Sequence, residues 1–306
     1  MEHRDGSGAF CYPKSPETGE RESLLYIKAI DTSCVLPVLT DVFPVRLNLI
    51  SVSRYGDERK YEFRRDQLEQ RRFEIYAAID ALKKLSVNGD CGSLSTMDDS
   101  EVDWSEFQGK IGFDTLQLTG HSFGASTLFS LLSHEPTEGF APLPVTHALL
   151  LDPWLEPFEK SAPVQASRNV QVKKVIFHSE GFTLWRKHMA QVLEVAKDWG
   201  NVPIYTIGTI CSVDILGFIS SLSRHLARAT HQGFSDYITI LPRSLDGRGV
   251  GVLRKISELS VAFLDDRMED VLARSVTRNM EVETVKARWG KEKRRLVANS
   301  EDIIIH

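Results

Sequence analysis

Between the apolar run Asp114 to Thr119 and the small-then-apolar run Ala125 to Leu132 stands Gly120-His121-Ser122-Phe123-Gly124. A strand that gives way to a helix within a single turn leaves few folds open, because the chain must reverse over one or two residues at the end of a sheet. The pattern reads as a nucleophile elbow. Its glycines let the backbone bend sharply while the Ser122 hydroxyl projects clear of the sheet. The helix N-terminus and the Phe123 amide are then placed to stabilise an oxyanion.

An architecture built around such an elbow takes its triad in the chain order serine, acid, histidine. Thr146 to Leu151 is a short strand-like run ending in Asp152-Pro153-Trp154. It puts a carboxylate at the carboxyl end of the strand after the elbow, where open parallel sheets build their sites. Lys173 to His178 is the next such run, and Ser179-Glu180-Gly181 follows it. Glu180 is therefore a competing acid at the equivalent end of the next strand. As ordinary structure, Asp152 would cap a turn before proline and Glu180 would be a solvated loop carboxylate.

Nine histidines compete for the base. His121 lies inside the elbow, with its side chain expected to point away from the reactive face of Ser122. His147 and His178 lie in strands, His188 and His225 on helical patterns, and His134 closes the helix after the elbow. His3 and His306 are terminal. His231 stands in the polar stretch Thr230 to Tyr237, late enough in the chain to reach over the sheet edge to Ser122. Spacing alone leaves it equally readable as a base or as a surface histidine.

Four ordered segments resemble the platelet-activating factor acetylhydrolase family: Glu2-His3-Arg4-Asp5-Gly6-Ser7, GHSFGAST at 120 to 127, LLLDPWLEPF at 149 to 158 and HQGFSDY at 231 to 237. The likeness covers most of residues 1 to 31, 54 to 85, 111 to 182 and 230 to 265. It implies an α/β-hydrolase fold, with a mostly parallel central sheet flanked by helices. The implied activity is that of a serine esterase, free of metal and cofactor, that removes short or oxidised sn-2 acyl chains from phospholipids such as platelet-activating factor. The resemblance puts the nucleophile on Ser122 and the base on His231. It decides the acid for Asp152, because the family uses the aspartate after the strand that follows the elbow. A general carboxylesterase on small esters and a catalytically impaired remnant are the alternatives.

In related enzymes a His-Gly-Leu-Gly type segment precedes the Glu-His-Arg-Asp motif and supplies a second oxyanion amide. Here that motif begins at Glu2. The expectation is that the segment and the first strands of the fold are missing, which would leave the strand carrying Ser122 short of a neighbour. Roughly Asp31 to Ser53 and Ile210 to Ala229 have no counterpart in the family, and both are apolar-rich. They read either as translated intervening sequence or as the insertions of a divergent relative.

Composition narrows the partners. The chain has 306 residues, 42% hydrophobic and 26% charged, which suits one large soluble core. A net charge of -5 argues against a nucleic-acid partner and leaves a phospholipid substrate as the expected one. Cys11, Cys34, Cys91 and Cys211 form neither metal spacing nor a disulfide framework, so free thiols are expected. With no Asn-x-Ser/Thr sequon and no N-terminal apolar stretch, the expected location is cytoplasmic.

Strands alternate with helices along the chain, as in a parallel sheet covered on its faces. Residues 1 to 273 are read as the hydrolase domain and 274 to 306 as a charged helix or tail. Phe43 to Val52 has strand periodicity. Leu68, Ile75, Ile79 and Leu82 place an apolar stripe on a helix from about Asp66 to Leu85. Trp185, His188, Val192, Val195 and Trp199 mark one later helix, Ile215 to Ala229 another, and Leu253, Ile256, Leu259, Phe263 and Val271 a closing one, with a strand at Pro203 to Ile207. Lys286 to Arg295 is a basic run, read as solvated or as a transient contact with a lipid surface. Trp154, Phe158, Phe182 and Phe234 adjoin the catalytic motifs and are candidates for a lipid-facing pocket.

Overall fold

A computed structural model describes residues 61–89, 103–158, 165–166, 169–208, 231–234, 249–286, 292–299 and 302–306. The chain divides into two compact units, Met1–Asp114 with Pro136–Leu143, and Thr115–Glu135 with Pro144–His306. The strand expected at Phe43 to Val52, the helix expected at Ile215 to Ala229 and the Glu2 to Ser7 motif lie outside the described residues.

In the first unit a long helix, α1 (Glu62–Asn88), stops at Gly89, whose left-handed backbone lets its N–H reach the Leu85 carbonyl at 2.8 Å. The buried positions are Leu68, Tyr76 and Leu85 with Gln67, Arg71 and Ser86, while Leu82 is 41% exposed. The apolar stripe expected along this helix is therefore rotated, because Tyr76 and Leu85 take the places assigned to Ile79 and Leu82. Phe140 packs on Phe73 and Tyr76 at ring distances of 5.7 and 5.6 Å. A short 3₁₀ turn, Trp104–Phe107, is capped by Asp103, whose carboxylate accepts the Ser105 N–H at 3.0 Å.

The second unit holds a six-stranded sheet of β1 (Leu116–His121), β2 (Val145–Leu151), β3 (Lys173–His178), β4 (Ile204–Ile207), β5 (Thr277–Asn279) and β8 (Ile303–Ile305). Its order is β1-β2-β3-β4-β8-β5, with β1 to β4 parallel in chain order, β8 antiparallel to β4, and β5 parallel to β8. Of the parallel neighbours, β1 and β2 are joined through α2 (Phe123–Ser133), and β3 and β4 through α3 (Glu180–Leu184) and α4 (Arg186–Asp198). Among the described residues β1 has one neighbour, β2, and so forms an edge.

Period-two alternation divides the core between the two faces of the sheet. Ala148 and Leu150 of β2 and Ile176 of β3 pack with Leu128, Phe129 and Leu132 of α2 and Val192, Val195 and Ala196 of α4. Leu149 and Leu151 of β2 and Val175 and Phe177 of β3 face the other way. They meet Val252, Ile256 and Leu259 of α5 (Gly249–Leu264). Each fully buried side chain of this size contributes about 1.5–3 kcal/mol, so central strands apolar on both faces require cover on both. The mostly parallel sheet flanked by helices follows from that demand. Among the described residues no helix is long and apolar enough to cross a membrane.

Three expectations need correction here. The helix expected around Trp185 to Trp199 is α4, but its buried stripe starts later than expected: Trp185, at the N-cap, is 37% exposed, while His188, Val192, Val195 and Trp199 are buried. The closing helix breaks, at Asp265 to Arg267, into α5 and α6 (Met268–Arg274), with Asp266 at φ 58° in the connecting turn. The described residues beyond Arg274 form strands, not the helix or tail expected. They supply β5 and β8 to the central sheet and the antiparallel pair β6 (Val282–Lys286) and β7 (Glu292–Leu296). The alternating charges that suggest a solvated helix are cross-strand partners, Glu283 opposite Arg295 and Lys286 opposite Glu292. Ile303 and Ile304 are fully buried.

Candidate active site

The elbow forms because β1 and α2 meet at one residue. Ser122 caps α2 with φ 57° and ψ -119°, a sparsely populated backbone for a side-chain-bearing residue, and its N–H bonds the Leu151 carbonyl of β2 at 2.9 Å. A Cβ on Gly120 would lie 2.5 Å from the Gly124 carbonyl oxygen and 2.7 Å from the Ala125 nitrogen, so only glycine lets helix and strand approach this closely. A Cβ on Gly124 would meet nothing within 4 Å. The sharp bend thus needs Gly120, and the second glycine of the pattern is not sterically required.

Asp152 follows β2 directly, at φ 43°, and is fully buried. Its Oδ1 accepts the Ser179 N–H at 2.7 Å and its Oδ2 lies 3.1 Å from His231 Nδ1. His231 opens a four-residue 3₁₀ turn, His231–Phe234, and its Nε2 lies 2.7 Å from Ser122 Oγ. With Asp152 ionised, Nδ1 carries the proton and donates to the carboxylate, which leaves Nε2 as the acceptor for the serine hydroxyl. A buried carboxylate, an imidazole and a hydroxyl are thus joined in a continuous relay.

Over residues 1–252 the chain matches the family described as platelet-activating factor acetylhydrolase, isoform II. The chain belongs to this family. No curated protein matches it. Members of the acetylhydrolase family hydrolyse ester bonds of phospholipids, which makes a phospholipid the substrate class.

The two candidate acids differ in their partners: Asp152 bonds His231. Glu180 is not a solvated loop residue. It is buried at the start of α3, and its Oε1 accepts the Leu296 N–H of β7 at 3.1 Å. His121 departs from expectation too. Its ring stays at the site, with Nε2 donating to the His231 carbonyl at 3.0 Å and the two imidazoles 4.5 Å apart. Phe182 also stacks on the His231 ring, at 4.6 Å and 13°.

The segment after Asp152 is held by residues that the sequence reading missed. Ser126 Oγ donates to the Trp154 carbonyl at 2.5 Å, His188 Nε2 accepts the Leu155 N–H at 3.2 Å, and Gln191 donates to the Leu155 carbonyl at 3.3 Å. Ser126 follows the nucleophile by one helical turn, a spacing that could have flagged it. Of the four aromatic residues considered for a lipid-facing pocket, Phe158 packs against one core layer and Phe234 is buried in the other. Trp154 lies against Phe123 at 5.9 Å.

Buried imidazoles surround the relay and stay neutral. Burial pushes His178 down from 6.5 to about 3 and His188 down to about 4. Among the described residues neither ring nitrogen of His178 has a hydrogen-bond partner, and an imidazolium there would be unpaired. His121 is also lowered, first by burial and then by the neighbouring His231. His121, Asp152 and His231 bring ligand-type atoms within 4.8 Å of one another, a spacing a metal ion could use. Those atoms already bond one another or the His231 backbone, so metal binding would cost the relay its own contacts.

Proposed function

We propose that the chain is a serine esterase that cleaves the sn-2 acyl ester of phospholipids carrying a short or oxidised chain, by acyl transfer to Ser122. The observation that carries this reading is the relay itself, Ser122 Oγ to His231 Nε2 at 2.7 Å and His231 Nδ1 to Asp152 at 3.1 Å, on a chain of the acetylhydrolase family. His231 takes the Ser122 proton as the hydroxyl oxygen attacks the ester carbonyl. Asp152 holds the imidazole tautomer and stabilises the imidazolium that forms. Collapse of the tetrahedral adduct breaks the bond to the glycerol oxygen, which leaves with the proton from His231. Water, deprotonated by the same imidazole, then attacks the acyl-serine and releases the carboxylic acid.

Phe123 begins α2, so its backbone N–H is one of the first-turn amides, and in this reading it donates to the developing oxyanion. The test is Ser122→Ala. Hydrolysis of a 2-acetyl phospholipid should fall by about four orders of magnitude or more, and labelling by a fluorophosphonate probe should vanish, with the circular dichroism spectrum unchanged. Labelling that persists would move the nucleophile elsewhere.

A further inference from the structure

The chemistry above leaves the His121 side chain unused, yet that side chain touches the turn carrying His231 at its backbone and at two of its rings. A carbonyl oxygen has no proton to give, so the 3.0 Å contact between His121 Nε2 and the His231 carbonyl requires the proton on Nε2. The same ring lies 4.5 Å from the His231 imidazole and stacks at 5.8 Å and 17° on Phe234. Phe234 is itself buried in the core layer beneath α5. One side chain thus holds the 3₁₀ turn by its first backbone carbonyl, its first ring and its last ring. Phe182 stacks on the His231 ring as well, at 4.6 Å and 13°.

We propose that His121 is a positioning residue for the base, docking the His231 turn onto the nucleophile strand through its Nε2–H and ring while Phe182 stacks on the His231 ring. The two hydrogen bonds of the His231 ring fix its orientation within its own plane, and the two adjoining rings fix that plane. Neutrality of His121 belongs to the same arrangement. A charged His121 would stand ring to ring with the imidazolium that His231 becomes as Ser122 attacks. Asp152 and the hydrogen bond to the His231 carbonyl favour the charged form of His121, and burial together with the His231 imidazole outweighs them.

This inference rests on the serine esterase reading, and the experiment separates the two. His121→Phe keeps an aromatic ring against His231 and Phe234 but removes the donor; His121→Gln keeps an N–H donor and removes the ring. With a 2-acetyl phospholipid, His121→Phe should lower kcat by about 10- to 100-fold, the scale of a misplaced catalytic group, with KM within about twofold. His121→Gln should recover to within about fivefold of the wild-type kcat. Wild-type kcat in His121→Phe, or no recovery in His121→Gln, overturns the proposal. Nitrogen-15 NMR of the histidines in the unaltered protein tests it without any variant: His121 should be the Nε2–H tautomer at neutral pH, and an Nδ1–H tautomer overturns it. Activity surviving in Ser122→Ala would instead sink the esterase reading.

Discussion

The turns after β2 and β3 lie side by side at one end of the sheet, and each buries a carboxylate. Asp152 is the first residue past its strand and takes a left-handed backbone, which aims its side chain across the sheet end at His231. Glu180 comes two residues past its strand and opens a helix, so its side chain runs instead to the backbone of β7. A carboxylate at a strand end is therefore common to both turns, and the backbone conformation of the turn decides its role. In the esterase proposed above one turn carries chemistry, and the other ties the C-terminal strand pair to the fold.

Exchanging the two carboxylates for neutral groups should separate these roles most widely. Asp152→Asn should lower kcat by about 10⁴-fold through the wrong imidazole tautomer, whereas Glu180→Gln should stay within about threefold of wild type, since the amide oxygen can still accept the Leu296 N–H. Steady-state kinetics on both variants decides, and a larger loss in Glu180→Gln would reverse the assignment.

Stability should show the opposite ranking, with a smaller effect. Glu180→Ala strands the buried Leu296 N–H and should cost about 1–3 kcal/mol in a denaturant titration. An unchanged midpoint would mean that the Glu180 turn does not anchor β7.

The smallest contrast is in pH. His178 and His188 back the two turns and are lowered by burial from 6.5 to about 3 and about 4. Above about pH 6.5 both folded and unfolded chains hold them neutral, and their contribution is fully present. As the pH falls below that value the unfolded chain takes up protons that the folded chain refuses, so stability is lost progressively toward pH 4. Glu258 and Asp266 are lowered by their cationic partners and act in the same sense, but only below their ordinary values of 4.5 and 3.8. Unfolding midpoints should therefore drop between pH 6.5 and 5, and His178→Leu should flatten that drop. A slope that the substitution leaves unchanged would place the titrating group elsewhere.

What could be read in the sequence was whatever local pattern determines. The elbow and the strands ending at Leu151 and His178 come from runs of a few residues, whereas the choice of Asp152 and His231 as partners for Ser122 is what the family resemblance implies. The late strands come from pairing, which leaves no local trace. Lys286 to Arg295 looks like a solvated helix until Glu283 and Glu292 are set opposite its cations. Ile303 to Ile305 is too short for a period to register, yet it sits between β4 and β5. His121 was misjudged for a related reason: the elbow fixes where its backbone goes, but its partner lies 110 residues away in sequence.

The backbone at Ser122 has a consequence for how this protein can change over generations. A conformation of φ 57° and ψ -119° is one that glycine adopts freely, and serine holds it at a cost of order 1–3 kcal/mol. Ser122→Gly should therefore yield an inert protein that melts at a higher temperature, by about 1 kcal/mol once the greater freedom of glycine in the unfolded chain is deducted. Thermal robustness and reactivity pull in opposite directions at this one position. In the esterase proposed above, drift toward a more stable fold would erase the nucleophile first.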